Sequence, residues 1–371
     1  MSTAEWTHTG LAQQIVFGAG AVSRLPDLTK AVGARRLLLV TTPDRADSDD
    51  GRRLVQVLGR SLASTFAEVA SHVPTPLVQA ALLQARRDGV DGIVSFGGGS
   101  CADAAKAVAF FTEQEGGTPG ASFADRPVLP HISVPTTYSG AELTPFFGMT
   151  DPRTRQKSGA GGPTSAPLVV VYDPELARST PARVSAETGM NALAHCVEAA
   201  WSPSRTPEAE AIALAGFRRI MSALPLVVEE PDSLDTRAAM FEGAALGGRC
   251  LQNASMGVHH GLAQLVGGRT GIPHGLANAV ILPHAIRFNA DAVPTSIAAL
   301  AGTIGADPAS LADVVAMMAG FMGLPSTLSE CGVDEDDLAA IARLSQSSPA
   351  VRANPRPVSE DDALQVLLAA F

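Results

Sequence analysis

Short apolar runs in the first half of the chain alternate with stretches whose apolar residues recur at helical spacing. Gln14–Gly18 (QIVFG), Arg36–Thr42 (RLLLVTT), Gly92–Phe96 (GIVSF), Pro130–Thr137 (PHISVPTT) and Pro167–Tyr172 (PLVVVY) are too brief for helices and read as strands. Ser64–Ala70 is a weaker strand, Pro76–Arg87 is helical, and a further helix carries Pro26 near its start. Near-continuous apolar strands are of the parallel, doubly buried type. Their alternation with helices predicts a doubly wound α/β domain. The first strand is a candidate sheet edge and oligomer contact.

After Asp173-Pro174 the texture changes. Helical patterns dominate over Val184–Ala200, Glu208–Leu224, Asp235–Cys250, Ser255–Gly267, Val293–Gly302, Pro308–Gly320, Glu335–Leu344 and Glu360–Ala370. Ser185, Thr206-Pro207 and Gly267-Gly268 stand where caps and breakers are needed. These patterns divide the chain into an α/β domain over 1–178 and an all-helical domain over 179–371.

Within the first domain, Gly97-Gly98-Gly99-Ser100 joins a strand to an Ala-rich helix expected from about Ala102. Glycines admit a ligand close to the backbone, and a helix N-terminus favours an anion, so this is a phosphate cradle. A plain tight turn is the alternative. Asp103 and Lys106 lie one turn apart, giving the helix one polar edge directed at the cradle. Ligands of such sheets sit at strand carboxyl ends, where Thr136–Gly140 also falls.

Charge narrows the partners. A formal net charge of −10 with pI near 5.3 lacks the basic stripe of a nucleic-acid surface. The first residues show no signal-peptide pattern, and no apolar run approaches the roughly 20 residues of a membrane span. The four cysteines, Cys101, Cys196, Cys250 and Cys331, form no CxxC pair. A soluble cytoplasmic protein is expected.

Histidines bring chemistry to the helical half. Asn191 and His195 are four apart on one helix face, and His259, His260 and His274 follow. Three imidazoles converging with Asn191 have the makeup of a divalent-metal site; buried, hydrogen-bonded histidines are the alternative. His131 and His284 read as ordinary histidines, and Cys101 as small packing.

These stretches carry a resemblance. FGGGSCADAAK (96–106), VPTTYSGAELTP (134–145), VVYDPEL (170–176), GMNALAHCVEA (189–199), NASMGVHHGLAQLVGG (253–268) and IPHGLANAVILPH (272–284) resemble the iron-containing (group III) alcohol dehydrogenase family, most closely its maleylacetate reductase subgroup. The resemblance implies an α/β Rossmann-like N-terminal domain and an all-α C-terminal domain, the architecture shared with dehydroquinate synthase. It implies a cleft for NADH or NADPH and a small anionic carbonyl substrate, and homodimers formed partly through the first strand. By position, Gly97, Gly98, Gly99 and Ser100 resemble the pyrophosphate loop, and Asp103 the residue on the nicotinamide side. Thr136, Thr137 and Ser139 match cofactor-lining positions, Lys157 a ribose-side lysine, and Thr42 the position that helps choose between NADH and NADPH. Asp44, two residues on, leaves that choice open.

The family's metal quartet maps onto Asn191, His195, His260 and His274. Its first member is usually Asp; Asn removes a charged ligand, so iron or zinc is not favoured. Gln264 stands where a His is common, and His259 is the substitute proton relay. Tyr138, Asn191, Arg249 and Arg269 are the substrate-side candidates, the arginines as carboxylate clamps or else as ordinary solvated charges. His195, His259, His260 and His274 are the catalytic candidates. The expected reaction is NAD(P)H-dependent reduction of a small carbonyl or enoyl acid, maleylacetate to 3-oxoadipate. A metal-dependent alcohol dehydrogenase and a non-redox lyase are the alternatives.

Overall fold

The computed structural model describes residues 6, 10–118, 127–154 and 156–371, with residues 156 and 157 as backbone alone. The chain forms two compact units, one over Leu11–Ser179 and the other made mainly of Thr180–Phe371.

The first unit holds strands β1 (Gln14–Phe17), β2 (Leu37–Thr41), β3 (Leu62–Phe66), β4 (Gly92–Gly97), β5 (His131–Pro135), β6 (Phe146–Asp151), β7 (Gln156–Gly161) and β8 (Val169–Tyr172). Six of them make a parallel sheet in the order β1-β8-β5-β4-β2-β3, and β6 and β7 form a separate antiparallel hairpin. Between the strands run helices α1 (Leu25–Ala31), α2 (Pro43–Asp47), α3 (Asp49–Leu58), α4 (Thr75–Arg87), α5 (Gly99–Glu115) and α6 (Pro174–Ala177). Period-two alternation divides β2 between two cores. Leu37 and Leu39 join Leu25, Leu28, Leu54 and Leu58 on one face. Leu38 and Val40 join Val78, Leu82 and Val108 on the other. Each such buried side chain contributes about 1.5–3 kcal/mol. The sheet is therefore clamped from both sides.

Some boundaries differ from the sequence reading. The strand expected over Ser64–Ala70 begins at Leu62, which pairs with Leu37 before a register shift. The β6–β7 hairpin was not expected, because QKSGAG offers no apolar alternation. β1 does lie at the sheet edge, with Val16 buried while Ile15 and Phe17 are exposed.

The second unit is helical: α7 (Ala182–Trp201), α8 (Pro207–Glu229), α9 (Leu234–Asn253), α10 (Val258–Thr270), α11 (His274–Asn289), α12 (Pro294–Ile304), α13 (Leu311–Phe321), α14 (Glu335–Ser345), α15 (Pro349–Arg352) and α16 (Glu360–Ala369). Every residue of α7 from Gly189 to Trp201 is buried. Small residues let its neighbours come close. A Cβ on Gly247 of α9 would stand 2.8 Å from the Ala192 carbonyl oxygen, and one on Gly275 of α11 equally near that of Glu187.

Thr206 caps α8 by accepting from the Ala209 N–H. The other two expected punctuation sites sit inside helices. Ser185 is buried in α7 and accepts from Arg237, and Gly267-Gly268 lies within α10, which ends at Gly271 in the left-handed region. The sequence reading takes His274 as a loop-to-helix junction but gives no extent for helix α11, since Pro283 lies within it and an unbroken buried run, Leu276–Pro283, carries no amphipathic period. α8 is long and apolar enough to span a membrane by length and composition, which the sequence reading had not found. It packs on α7 and α9 through Ala213, Gly216, Phe217, Ile220 and Leu224, while Glu208, Glu210, Arg218 and Arg219 are exposed.

Candidate functional site

The nucleotide end of the first unit is made of backbone. β4 runs into Gly97, whose φ of +139° few side chains tolerate, and a Cβ there would meet Cys101 Sγ at 2.7 Å. A Cβ on Gly98 would touch Thr137 at 3.2 Å, and one on Gly99 would meet Ser139 Oγ at 2.8 Å. The loop thus lies flat on Thr137 and Ser139, and only glycines permit it. The helix begins at Gly99, three residues before the expected Ala102, with Ser100 in its first turn and no side-chain cap. The Thr137 hydroxyl is buried without a hydrogen-bond partner among the described residues. An open 17-residue helix end behind a glycine turn fits the pyrophosphate of a dinucleotide.

Thr42 follows β2 and caps α2 through the Arg45 N–H. Thr136 is buried at the end of β5, and Tyr138 is wholly buried. Lys157 belongs to β7, but its side chain lies outside the described residues. The polar edge of α5 turns out differently from the expectation. Lys106 is fully buried and ties the Ala141 and Phe146 carbonyls and Thr144 to the helix. Asp103 sits 2.8 Å from its ammonium and accepts from the Gly148 N–H. A buried ammonium demands such partners, so this pair braces the β6 hairpin.

In the second unit Asn191, His195 and Glu198 fall at i, i+4 and i+7 on α7, one face of the helix. The His195 ring stacks on His260 with centroids 4.7 Å apart and planes at 22°. His274, the first residue of α11, stands with its ring centroid 6.4 Å from that of His260. With His259, whose ring centroid lies 4.8 Å from that of His260, all four expected catalytic imidazoles gather in one place.

Glu198 escaped the sequence reading. It is fully buried and caps α10 from a distance: Oε1 accepts from the His259 N–H at 3.0 Å, and Oε2 from the His260 N–H at 3.2 Å. His260 Nδ1 lies 2.6 Å from the same Oε2. Asn354 Oδ1 accepts from the Val258 N–H, completing the cap. Burial alone raises the Glu198 carboxyl, yet the two histidines beside it outweigh that and hold it well below the usual range. The clue was its place three residues after His195.

His259 is not the substitute relay. It is wholly buried, its Nε2 faces the Asn278 carbonyl oxygen at 3.0 Å, and its Nδ1 lies 3.2 Å from His260 Nδ1. Both nitrogens are committed to the protein. Gln264, the other departure, is exposed on α10.

Burial pushes His195 and His260 downward; neighbouring imidazoles add to this at His195, while Glu198 partly offsets it at His260. His195 Nδ1 and His260 Nε2 are buried without partners among the described residues. The first position of the expected metal quartet is the neutral Asn191, a weaker ligand for a divalent metal than a carboxylate. The group whose ligand atoms lie within 4.8 Å of one another is Glu198, His259 and His260, already spent on each other.

The two arginines are engaged. Arg249 pairs with Glu208 at 3.2 Å and Arg269 with Asp337 at 2.6 Å. Each expected clamp already holds a carboxylate of its own unit. His131 is a core residue bonded to Ser95, with burial pushing it down to about 3.

Known proteins agree with this architecture. Residues 12–174 match the model of the iron-containing alcohol dehydrogenases, and residues 185–371 match that family's C-terminal model. A maleylacetate reductase of a Rhizobium species is 34% identical over 98% of this chain and 96% of its own. One from Burkholderia cepacia is 35% identical over 96% and 94%. The crystal structure of maleylacetate reductase from Agrobacterium tumefaciens superposes with a TM-score of 0.88 at 33% identity, covering 100% of this chain and 99% of that one. The protein belongs to the iron-containing alcohol dehydrogenase family and is an NAD(P)-dependent oxidoreductase, most like the maleylacetate reductases.

Proposed function

We propose that the chain reduces maleylacetate to 3-oxoadipate with NADH or NADPH, and that it does so without a bound metal. The observation that carries this reading is Asn191 on the α7 face beside the stacked His195 and His260. A neutral amide stands where a metal-binding relative places a carboxylate, and buried imidazole nitrogens are left to face the substrate. The named relatives supply the choice of substrate.

Bound NAD(P)H supplies the hydride. The chain's own part is to hold the pyrophosphate at the open end of α5, to keep water from the buried imidazoles, and to deliver one proton. Charge builds on the substrate's carbonyl oxygen as its carbon skeleton is reduced. One well-placed donor stabilises such charge by about 3–4 kcal/mol. The substrate's carboxylates raise the proton affinity of imidazoles that burial alone keeps neutral. Hydride addition to the alkene carbon β to the ketone turns the C=C pair into an enolate. The imidazolium formed beside the carboxylates donates to the enolate oxygen, and its proton ends on the α carbon as the ketone re-forms, a task suited to a group titrating near neutrality.

The experiment is NADH oxidation with maleylacetate after exhaustive chelation, with metal content measured on the same sample. Continued turnover by metal-free protein is expected. Absence of turnover, or activity lost on chelation and restored by Fe²⁺ or Zn²⁺, overturns the reading.

A further inference from the structure

Glu198 has a consequence for which nitrogen of His260 meets the substrate. A carboxylate 2.6 Å from Nδ1 is an acceptor alone, so the ring hydrogen is on Nδ1. His259 agrees independently. Its Nε2 faces a carbonyl oxygen, which only accepts, so its hydrogen is there and its Nδ1 is bare. That bare nitrogen lies 3.2 Å from His260 Nδ1, a contact that is attractive only if His260 carries its hydrogen on Nδ1. His260 Nε2 is therefore the lone-pair face, and it is buried without a partner among the described residues.

We propose that Glu198 is a positioning residue that fixes the His260 tautomer, so that His260 meets the substrate through Nε2 alone. Glu198 does not touch the substrate; it acts through the ring. Its own position is fixed twice, by the N–H groups of His259 and His260 and by the space beside Gly257. A Cβ at residue 257 would stand 2.8 Å from Glu198 Oε1 and 2.7 Å from Asn354 Oδ1. A neutral Gln at residue 198 cannot serve all three donors, because its amide nitrogen would face one of them.

This inference rests on the reductase reading for its catalytic consequence but not for the tautomer itself. Two measurements separate them. Neutron diffraction from deuterium-exchanged crystals of the unsubstituted protein reads the tautomer without any turnover. Deuterium on His260 Nδ1 with none on Nε2 is expected, and deuterium on Nε2 alone overturns the proposal whatever the substrate proves to be. For the consequence, Glu198→Gln is compared with Glu198→Asp, which keeps the charge. Loss of a group that orients a histidine through its second nitrogen typically costs 10–100-fold in activity, and kcat of Glu198→Gln should fall by about that factor. The KM for NADH should stay unchanged, and Glu198→Asp should recover part of the loss. A Glu198→Gln enzyme with undiminished kcat overturns the proposal. If that variant does not fold, the neutron result decides. If the unsubstituted protein fails to reduce maleylacetate, the reductase reading falls while the tautomer assignment is still tested.

Discussion

The two units build their sites from different materials. The α/β unit uses backbone: three glycines, an uncapped helix end and hydroxyls packed beneath them. The helical unit uses side chains: imidazoles and one carboxylate, of which Glu198, His259 and His260 are buried and hold one another. A backbone site depends on what is absent at Cβ, whereas a side-chain site depends on every partner being present. Substitutions should therefore fail differently in the two halves.

The sharpest contrast comes from Gly97→Val. Its φ of +139° and the 2.7 Å approach to Cys101 Sγ combine backbone strain with overpacking, at about 2–5 kcal/mol together. Chemical denaturation should show that loss, and titration with NADH should show binding weakened by two orders of magnitude or more. Native-like affinity in this variant would mean that the glycine loop is not where the nucleotide is held.

Acid should act next most strongly, through buried histidines. His131, His195 and His260 have folded values pushed below the ordinary 6.5, so the folded state binds fewer protons than the unfolded one. Their contribution is fully present above pH 6.5 and is lost as pH falls below it. Each contributes up to roughly 1.4 kcal/mol per pH unit in that window. Glu142, raised by burial above the ordinary 4.5, works in the opposite sense from that value upward. A stability loss on the order of 3 kcal/mol between pH 7 and pH 5 is expected from denaturation curves. A flat profile would show that these rings are not buried neutral.

Smaller again is Lys106→Met. The change leaves Asp103 without its cation and takes one donor from each of the Ala141 and Phe146 carbonyls, and should cost about 2 kcal/mol. The loss should appear as a lower Tm, with chemistry at the histidines little changed. Full retention of Tm would remove Lys106 as a brace.

The same contrast explains what the chain disclosed before folding. Gly97–Ser100 is contiguous, so a strand, a turn and a helix start were visible together. Only the helix start was misplaced, because glycine is a poor helix former and disguised the first turn. The stripe Asn191, His195 was legible from its spacing, yet Glu198 on the same face was passed over. Its partners, the N–H groups of His259 and His260, are some 60 residues away and made by tertiary packing. His259 misled for the same reason: its commitment to Asn278 is invisible in sequence. The β6–β7 hairpin left no apolar alternation to read, and α11 concealed its helical period by being buried all round.

The smallest effect belongs to the arginines. Arg249 and Arg269 pair with Glu208 and Asp337 on half-exposed surfaces, where an ion pair contributes about 0–1 kcal/mol. Arg249→Ala and Arg269→Ala should each leave the KM for maleylacetate within about twofold. A tenfold rise in either would restore that residue as a carboxylate clamp.

The central claim is that this chain passes a hydride to maleylacetate, with a proton following from the buried imidazoles. Its most direct measurement uses NADH deuterated at C4, each face in turn, with the product read by mass spectrometry. The account predicts 3-oxoadipate carrying one deuterium from one face and none from the other. Unlabelled product from both, or no 3-oxoadipate at all, would contradict it.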